Sequence, residues 1–194
     1  MQFNSKKIDI SKYIVYIIFV LCLIIFGIWL KGSFFSLSNL LNITRQAGAV
    51  SVMAIGMVFV IGLGHIDLSI GSVVALSSLI TAYILRDTGN PILAVIVAIG
   101  FGAIVGLFNG LCVTTIGMPA FLTTLGSQAI LTGIAMWISA TKAVPITHKG
   151  FLFWFGSGTI GQVPILLFWA VGATVVGYIC LLYTSPSPRD MRRS

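Results

Sequence analysis

Between two long apolar segments lies the stretch Gly64-His65-Ile66-Asp67-Leu68-Ser69-Ile70-Gly71-Ser72. It contains the only acidic residue between Asp9 and Asp87. A carboxylate at the centre of a membrane helix costs about 2.5–3.5 kcal/mol on insertion scales. A buried Asp67 therefore requires hydrogen-bonding partners, whereas an Asp67 at the membrane–water boundary does not. We call residues 64–72 the Asp67 motif, because its placement decides how the surrounding helices are arranged.

The composition is typical of a polytopic membrane protein. Hydrophobic residues make up 58% of the 194 residues and charged residues only 8%, against about 25% charged in soluble domains. The net charge of +7 would suit a nucleic acid, but the basic residues are mostly scattered singly and not clustered on one soluble face. We therefore expect them to anchor loops beside membrane lipid, and we expect no nucleic-acid partner.

Apolar length predicts an all-α fold, a polytopic transmembrane bundle with about six helices, since a span needs about 20 residues. The predicted helices are Tyr13–Leu30, Ala47–Leu63, Leu68–Leu85, Ile92–Thr115, Ala120–Ile138 and Pro164–Tyr183. The first is interpreted as a retained helix, because no signal-peptide cleavage site follows it. Phe34–Gln46 is expected to be an amphipathic interfacial connection, and Thr141–Val163 an aromatic surface loop or short surface helix.

The two ends of the chain differ in composition from the middle. Residues 1–12 carry Lys6, Lys7 and Lys12 and are expected to be a cytoplasmic N-terminus, although the positive-inside rule applied to the whole chain does not support that orientation. Residues 13–183 form the predicted transmembrane domain. Residues 184–194 are polar and basic, are expected to be disordered, and resemble the translated adapter tails of truncated metagenomic reading frames.

Small residues recur every fourth position in the predicted fourth helix. They predict a ridge that lets neighbouring helix backbones approach closely, formed by Ala94, Ala98, Gly102, Gly106 and Gly110.

The predicted fifth helix is unusually polar for a membrane span. Thr124, Gln128 and Thr132 lie four residues apart, which places them on one face. Such side chains either form interhelical hydrogen bonds or line a substrate path, and the sequence leaves both interpretations open.

No enzyme or metal motif is present. The chain contains no phosphate-binding loop, no His-Glu-x-x-His and no Cys-x-x-Cys sequence. His65 and Asp67 are the only neighbouring His–carboxylate pair, and at that spacing they need not face each other. Three cysteines lie in separate apolar runs and are interpreted as small core thiols, namely Cys22, Cys112 and Cys180.

The Asp67 motif resembles the membrane permease subunit of bacterial monosaccharide ABC importers of the ribose, xylose and galactose class. That family has Gly-Gly-Ile-Asp-Leu-Ser-Val-Gly-Ser between its second and third helices, so His65 replaces a glycine and Ile70 a valine. A second block matches through Asn109-Gly110, Pro119-x-Phe121, Thr124-Leu125-Gly126 and Gly133. Thr132 stands where an arginine is common in the family. The resemblance covers about residues 13–182.

The resemblance implies a transmembrane pathway subunit that moves a monosaccharide across the bacterial cytoplasmic (inner) membrane by alternating access. Its implied partners are a second permease copy, a cytoplasmic ABC ATPase and a periplasmic or lipid-anchored sugar-binding protein. The chain itself would be no enzyme and bind no cofactor, since ATP is used by the ATPase. The alternatives are an ABC permease for branched-chain amino acids, and a secondary transporter, which would need inverted repeats or more intramembrane charges.

The resemblance also implies a further segment after the sixth helix. In the family a cytoplasmic loop that docks on the ATPase follows at this point, whereas this sequence changes to its Ser-Pro tail from about Tyr183. We therefore expect a C-terminally truncated permease, with about a third or more missing, that cannot couple to an ATPase as it stands.

Two roles remain open for the motif and the residues matched with it. As a helix start, Asp67 or Ser69 would cap the third helix, with glycines allowing the turn and close contact. As a path or gate, Asp67 would bind sugar hydroxyls or a neighbouring helix. The candidate path or gate residues are Asp67, Ser69, Asn109, Thr124 and Gln128. The candidate capping and packing residues are Gly64, Gly71, Ser72, Ala98, Gly102, Gly106, Gly110 and Pro119.

Overall fold

The computed structural model describes residues 10–184, with side chains for residues 13–183. Its elements are α1 (Ile10–Trp29), α2 (Leu37–Gly62), α3 (Ile70–Thr88), α4 (Pro91–Thr114), α5 (Ala120–Ser139), α6 (Lys149–Phe155), β1 (Thr159–Ile160), β2 (Val163–Pro164) and α7 (Ile165–Thr184). The expected features of residues 1–9 and 185–194 lie outside the described residues.

Five helices of the described range are long and apolar enough to cross a membrane, namely α2, α3, α4, α5 and α7. The described part of α1 adds a shorter apolar segment, Tyr13–Trp29. The prediction of an all-α, polytopic membrane protein is therefore confirmed, and the chain is a multi-pass membrane protein. The many exposed Ile, Leu, Val and Phe side chains on these helices suit contact with lipid rather than water.

The chain divides into two compact units between Thr44 and Arg45. In the first unit, α1 is followed by a turn at Lys31 and Gly32, which both have left-handed φ angles (45° and 84°). After the turn, Phe34 stacks on Phe26 with 6.0 Å between the ring centroids. This ring contact holds the turn against the end of α1.

Helix α2 begins earlier than the sequence predicts. The sequence predicted helix two from Ala47 onward, and that start is wrong, since the helix runs unbroken from Leu37 to Gly62. The interfacial position of Phe34–Gln46 stays a prediction. The backbone N–H of Asn39 donates to Ser36 Oγ at 3.3 Å, which is the arrangement of a serine N-cap. Ser36 therefore marks the start of α2, which the sequence prediction placed later.

The core of the second unit is formed by α3, α4 and α5. Leu76, Val105 and Leu131 contribute one buried residue from each helix to a single cluster. Helices α3 and α5 run parallel, because Ile66 lies beside Thr124 at their starts, and Tyr83 near the end of α3 donates to the carbonyl of Ile138 at 3.1 Å. Helix α4 runs antiparallel to both and packs mainly against α3.

The small-residue ridge of α4 changes face along the helix. At Gly102 an added Cβ would lie 4.0 Å from Val73 Cγ1, whereas at Gly106 and Gly110 it would meet nothing within 4 Å among the described residues. An α-helix turns about 100° per residue, so each fourth position drifts by about 40°. The ridge therefore faces neighbouring helices in its first half, where Ala94 is fully buried and Ala98 half-buried, and faces outward in its second.

Thr141–Val163 contains a short helix, as the sequence suggested, and a hairpin that it did not. Helix α6 is capped by His148, whose Nδ1 accepts from the N–H of Phe151 at 3.1 Å. The hairpin pairs Thr159 with Pro164. Trp169 of α7 donates its Nε1–H to the carbonyl of Trp154 at 2.9 Å, so α6 is held against the start of α7.

Among the cysteines, only Cys112 is buried, while Cys22 and Cys180 are exposed. The prediction of three core thiols is therefore correct for Cys112 alone. Exposed cysteines on apolar helices are consistent with the lipid-facing surfaces of a membrane protein.

Helices α2 and α7 touch at Gly48, and we predict that this contact tolerates no side chain. A Cβ at Gly48 would lie 2.9 Å from the carbonyl oxygen of Leu166, and a backbone atom cannot move aside as a side-chain tip can. We expect Gly48→Ala to destabilise the protein by about 1–3 kcal/mol. The measurement is size-exclusion chromatography of heated samples in detergent, in which the variant should lose its monodisperse peak at a lower temperature than the parent. The matched control is Gly56→Ala on the same helix, where a Cβ meets nothing within 4 Å. Equal stability of the two variants would contradict the prediction.

Candidate functional site

The Asp67 motif begins with the turn that ends α2. The N–H of Gly64 donates to the carbonyl of Ile61 at 2.9 Å, and that of His65 to Val60 at 3.2 Å. Gly64 has a left-handed φ of 77°, a conformation that glycine adopts without the Cβ penalty of other residues. The glycine therefore directs the chain out of α2 and into the extended residues that precede α3.

The Asp67 carboxylate is used within the motif. Its Oδ1 accepts hydrogen bonds from the N–H of Ser69 at 2.7 Å and from Ser69 Oγ at 2.6 Å. Ser69 is the N-cap residue of α3, and its side chain makes no capping bond. Because the N–H that Asp67 binds precedes the helix, the carboxylate fixes the capping residue and does not itself cap the first turn of α3.

Ser69 connects the motif to two other helices. Asn109 Nδ2 donates to Ser69 Oγ at 3.1 Å, and Ser127 Oγ donates to Asn109 Oδ1 at 2.5 Å. Ser69, Asn109 and Ser127 are 1%, 7% and 6% exposed. We call Asp67, Ser69, Asn109 and Ser127 the Asp67 network. Its hydrogen bonds join the start of α3 to α4 and α5 inside a region of low dielectric, where unpaired polar groups would be costly.

Two further hydroxyls hold the motif in place. Thr124 of α5 donates mainly to the carbonyl of Ala120 at 2.8 Å and also lies 3.3 Å from the carbonyl of Ile66. Ser72 donates to the carbonyl of Ser69 at 2.7 Å. The Thr124 contact keeps the segment before α3 against α5, and the Ser72 bond closes the first turn of α3.

The structure brings together four of the five path or gate candidates, Asp67, Ser69, Asn109 and Thr124. Gln128 is exposed and makes no hydrogen bond with them. Pro119 is the N-cap residue of α5, and Gly71 has open space where a Cβ would stand.

Ser127 was not selected from the sequence, although it belongs to the polar set of the fifth helix. The buried face of α5 contains Thr123, Thr124, Ser127 and Leu131, not the face of Thr124, Gln128 and Thr132. No signal in the sequence singles out Ser127, because polar and apolar residues occur on several faces of this helix.

Two hydrogen bonds from Ser69 stabilise the Asp67 carboxylate. Among the residues with described side chains, the only ion pair joins Arg86 to Asp87, with 2.7 Å between Nε and Oδ1, and Asp67 has no cationic partner. The same part of the chain contains no group of His, Cys, Asp and Glu able to hold a metal ion. The geometry is that of a packing and positioning site, with one half-buried carboxylate at its edge.

Residues 39–186 match a family model described as the permease component of the branched-chain amino acid transport system. The chain is 36% identical over 148 residues to the ribose import permease protein RbsC of Escherichia coli (strain K12), an alignment that covers 74% of this chain and 45% of the relative. It is 34% identical over 163 residues to RbsC of Bacillus subtilis (strain 168), covering 82% and 50%.

The xylose transport system permease protein XylH of Haemophilus influenzae is 30% identical over 180 residues, covering 92% of this chain and 47% of the relative. Other relatives are named for allose and fructose. The chain spans about half the length of the curated relatives it matches. No solved structure matches it significantly.

Proposed function

Since this chain belongs to the family of permease components of the branched-chain amino acid transport system, we propose that it forms part of the transmembrane pathway of an ATP-driven monosaccharide importer. The observation that carries the proposal is the alignment with permeases named for ribose and xylose. The matched residues 39–186 include the whole Asp67 network. A branched-chain amino acid is the less favoured cargo, because the relatives named here transport sugars.

In this proposal the Asp67 network has a mechanical role. Its hydrogen bonds tie the start of α3 to α4 and α5, and the buried Leu76, Val105 and Leu131 join the same helices further along. Helices held at two levels move as one body when the pathway changes from outward to inward access. The turn at Gly64 would then be the joint between this body and α2.

The proposed partners follow from the importer class. They are a second permease copy, a cytoplasmic ABC ATPase that uses the ATP, and a periplasmic or lipid-anchored binding protein that delivers the sugar. The proposed location is the bacterial cytoplasmic membrane, with the N-terminus on the cytoplasmic side. An ATPase gene and a sugar-binding-protein gene beside this one would support these partners, whereas an isolated gene would favour a secondary transporter.

A chimera tests the proposal. The matched segment of RbsC from Escherichia coli is exchanged for that of this chain and expressed in a strain that lacks its own ribose permease. We expect uptake of labelled ribose above the level of the deletion strain, because the segment would supply a compatible pathway. Immunoblotting of membranes controls for expression. A chimera as abundant in the membrane as RbsC, but without uptake, would overturn the proposed function.

A further inference from the structure

We propose that the cleft between α3 and α5 is a binding site for one monosaccharide, which we call the station. This inference rests on the proposed function and specifies where the sugar is held. The cleft has a volume of about 380 Å³, within the range of about 300–1,000 Å³ of small-molecule sites. It lies beyond the Leu76–Leu131 contact of the core, outside the Asp67 network. Tyr83, which donates to the carbonyl of Ile138 at 3.1 Å, joins the two helices near its far end.

The segment that follows α5 covers one side of the cleft, and we call its residues 142–147 the strap. Helix α5 ends in two successive left-handed residues, Ala140 and Thr141, with φ angles of 49° and 59°. Neither is glycine, so the reversal is strained, and such strain is commonly kept at functional sites. The strap, residues 142–147, then returns along the groove, where Val144 and Ile146 line the cleft and are half-buried between exposed neighbours.

The polar groups of the cleft suit hydroxyls. Ser78 and Ser139 donate to the carbonyls of Ala75 and Ala135, each at 2.8 Å, which leaves their oxygens able to accept. Thr132 is half-buried and makes no hydrogen bond within the described residues. Lys142 can only donate. Together these four lining side chains complement a ligand whose groups both donate and accept.

The rest of the lining distinguishes a sugar from an amino acid. Leu79, Val144 and Ile146 provide an apolar wall for the C–H face of a sugar ring. None of the described residues that line the cleft is acidic, so they offer the ammonium group of a zwitterionic amino acid no charged partner. A neutral polyol pays no such penalty, since its hydroxyls need only hydrogen bonds. The chemistry therefore favours a neutral monosaccharide.

Cysteine protection tests the station on the purified chain in phosphatidylethanolamine–phosphatidylglycerol nanodiscs. Cys22 and Cys180 are replaced by serine, while the buried Cys112 is kept. Ala135→Cys then places a thiol in the cleft, and Thr159→Cys places a control thiol on the exposed β1–β2 hairpin, outside the helices that could span the membrane. The rate of methanethiosulfonate modification is measured with and without D-ribose, D-xylose, D-allose or D-fructose.

We expect at least one sugar to slow modification at position 135 but not at position 159. Adding Thr132→Val should raise the half-protecting sugar concentration by about 2- to 12-fold, the effect of one lost hydrogen bond. Thr114→Val is the matched control, because Thr114 lies on α4 outside the cleft and bonds only to the carbonyl of Gly110.

The outcomes separate this inference from the proposed function. If no sugar protects position 135 although the chimera transports ribose, the station is wrong and the importer stands. If a sugar protects position 135 although the chimera fails, the station stands and ATP-driven import is wrong. Equal protection at positions 135 and 159, or an unchanged half-protecting concentration in Thr132→Val, would overturn the station.

Discussion

Asn109→Leu is expected to lower the free energy of unfolding by about 1–3 kcal/mol. The substitution keeps the number and branching of the side-chain heavy atoms but removes both interhelical bonds of the amide, to Ser69 and to Ser127. Interhelical hydrogen bonds in membrane proteins contribute about 0.6 kcal/mol on average and about 1.7 kcal/mol at most. Ser69 Oγ keeps its bond to Asp67, whereas the buried Ser127 hydroxyl loses its acceptor and adds a desolvation penalty of about 1–3 kcal/mol.

The protein carries its own reporter for this measurement. Cys112, one turn along α4 from Asn109, is 8% exposed and becomes reactive when the helices separate. With Cys22 and Cys180 changed to serine, a thiol-reactive dye follows the unfolding of this region in a denaturing-detergent titration. Gln128→Leu, a polar-to-leucine change at an exposed position of α5, is the control and should match the parent. If Asn109→Leu also matched the parent, Asn109 would not bridge the three helices.

Asp67→Ala is expected to destabilise the protein by about 1.5–3 kcal/mol, the magnitude of hydrogen bonds to a charged group. The change removes the acceptor that holds both the N–H and the hydroxyl of Ser69, and so frees the residue that links the motif to Asn109. Asp67→Asn retains an oxygen at the same position and should stay within about 1 kcal/mol of the parent. Unfolding titrations of the two variants measure this difference.

Uptake by the chimera distinguishes positioning from a path role. If Asp67 acts by fixing Ser69, Asp67→Ala should lose membrane abundance and uptake together, while Asp67→Asn keeps both. A path that needs the carboxylate charge predicts a different result, with normal abundance but lost uptake in Asp67→Asn. That result would assign Asp67 to the translocation path.

Helix boundaries were predictable where the sequence contains strong local signals. The N-cap residue Asn90, whose amide Oδ1 accepts from the N–H groups of Ile92 and Leu93, precedes Pro91 and starts α4 at the predicted place. Pro119 similarly precedes α5. The start of α2 was missed, because the prediction counted only the uniformly apolar residues after Gln46 as helix, although Leu37, Leu40 and Leu41 already have helical spacing.

Most residues of the candidate site could be predicted from the sequence, but the hydrogen bonds between them could not. The family motif selects Asp67, Ser69 and Asn109, yet their hydrogen bonds depend on which face of α4 meets α5. That face is set by tertiary packing, since Val105, Asn109 and Cys112 are buried while the glycines of the outer ridge are not. Ser127 was missed for the same reason, because a polar helix offers several faces that spacing alone ranks equally.

The proposed movement of α3, α4 and α5 as one body depends on the Asp67 network. A double-mutant cycle between Asn109→Leu and Ser127→Ala tests this network most directly. Unfolding free energies are measured for the parent, both single variants and the double variant, with Cys112 as the reporter. The network predicts a coupling free energy of about 0.6–1.7 kcal/mol, whereas the Asn109→Leu/Thr114→Val control cycle should be additive. Additive effects of Asn109→Leu and Ser127→Ala would show that the two side chains do not interact and would contradict the network.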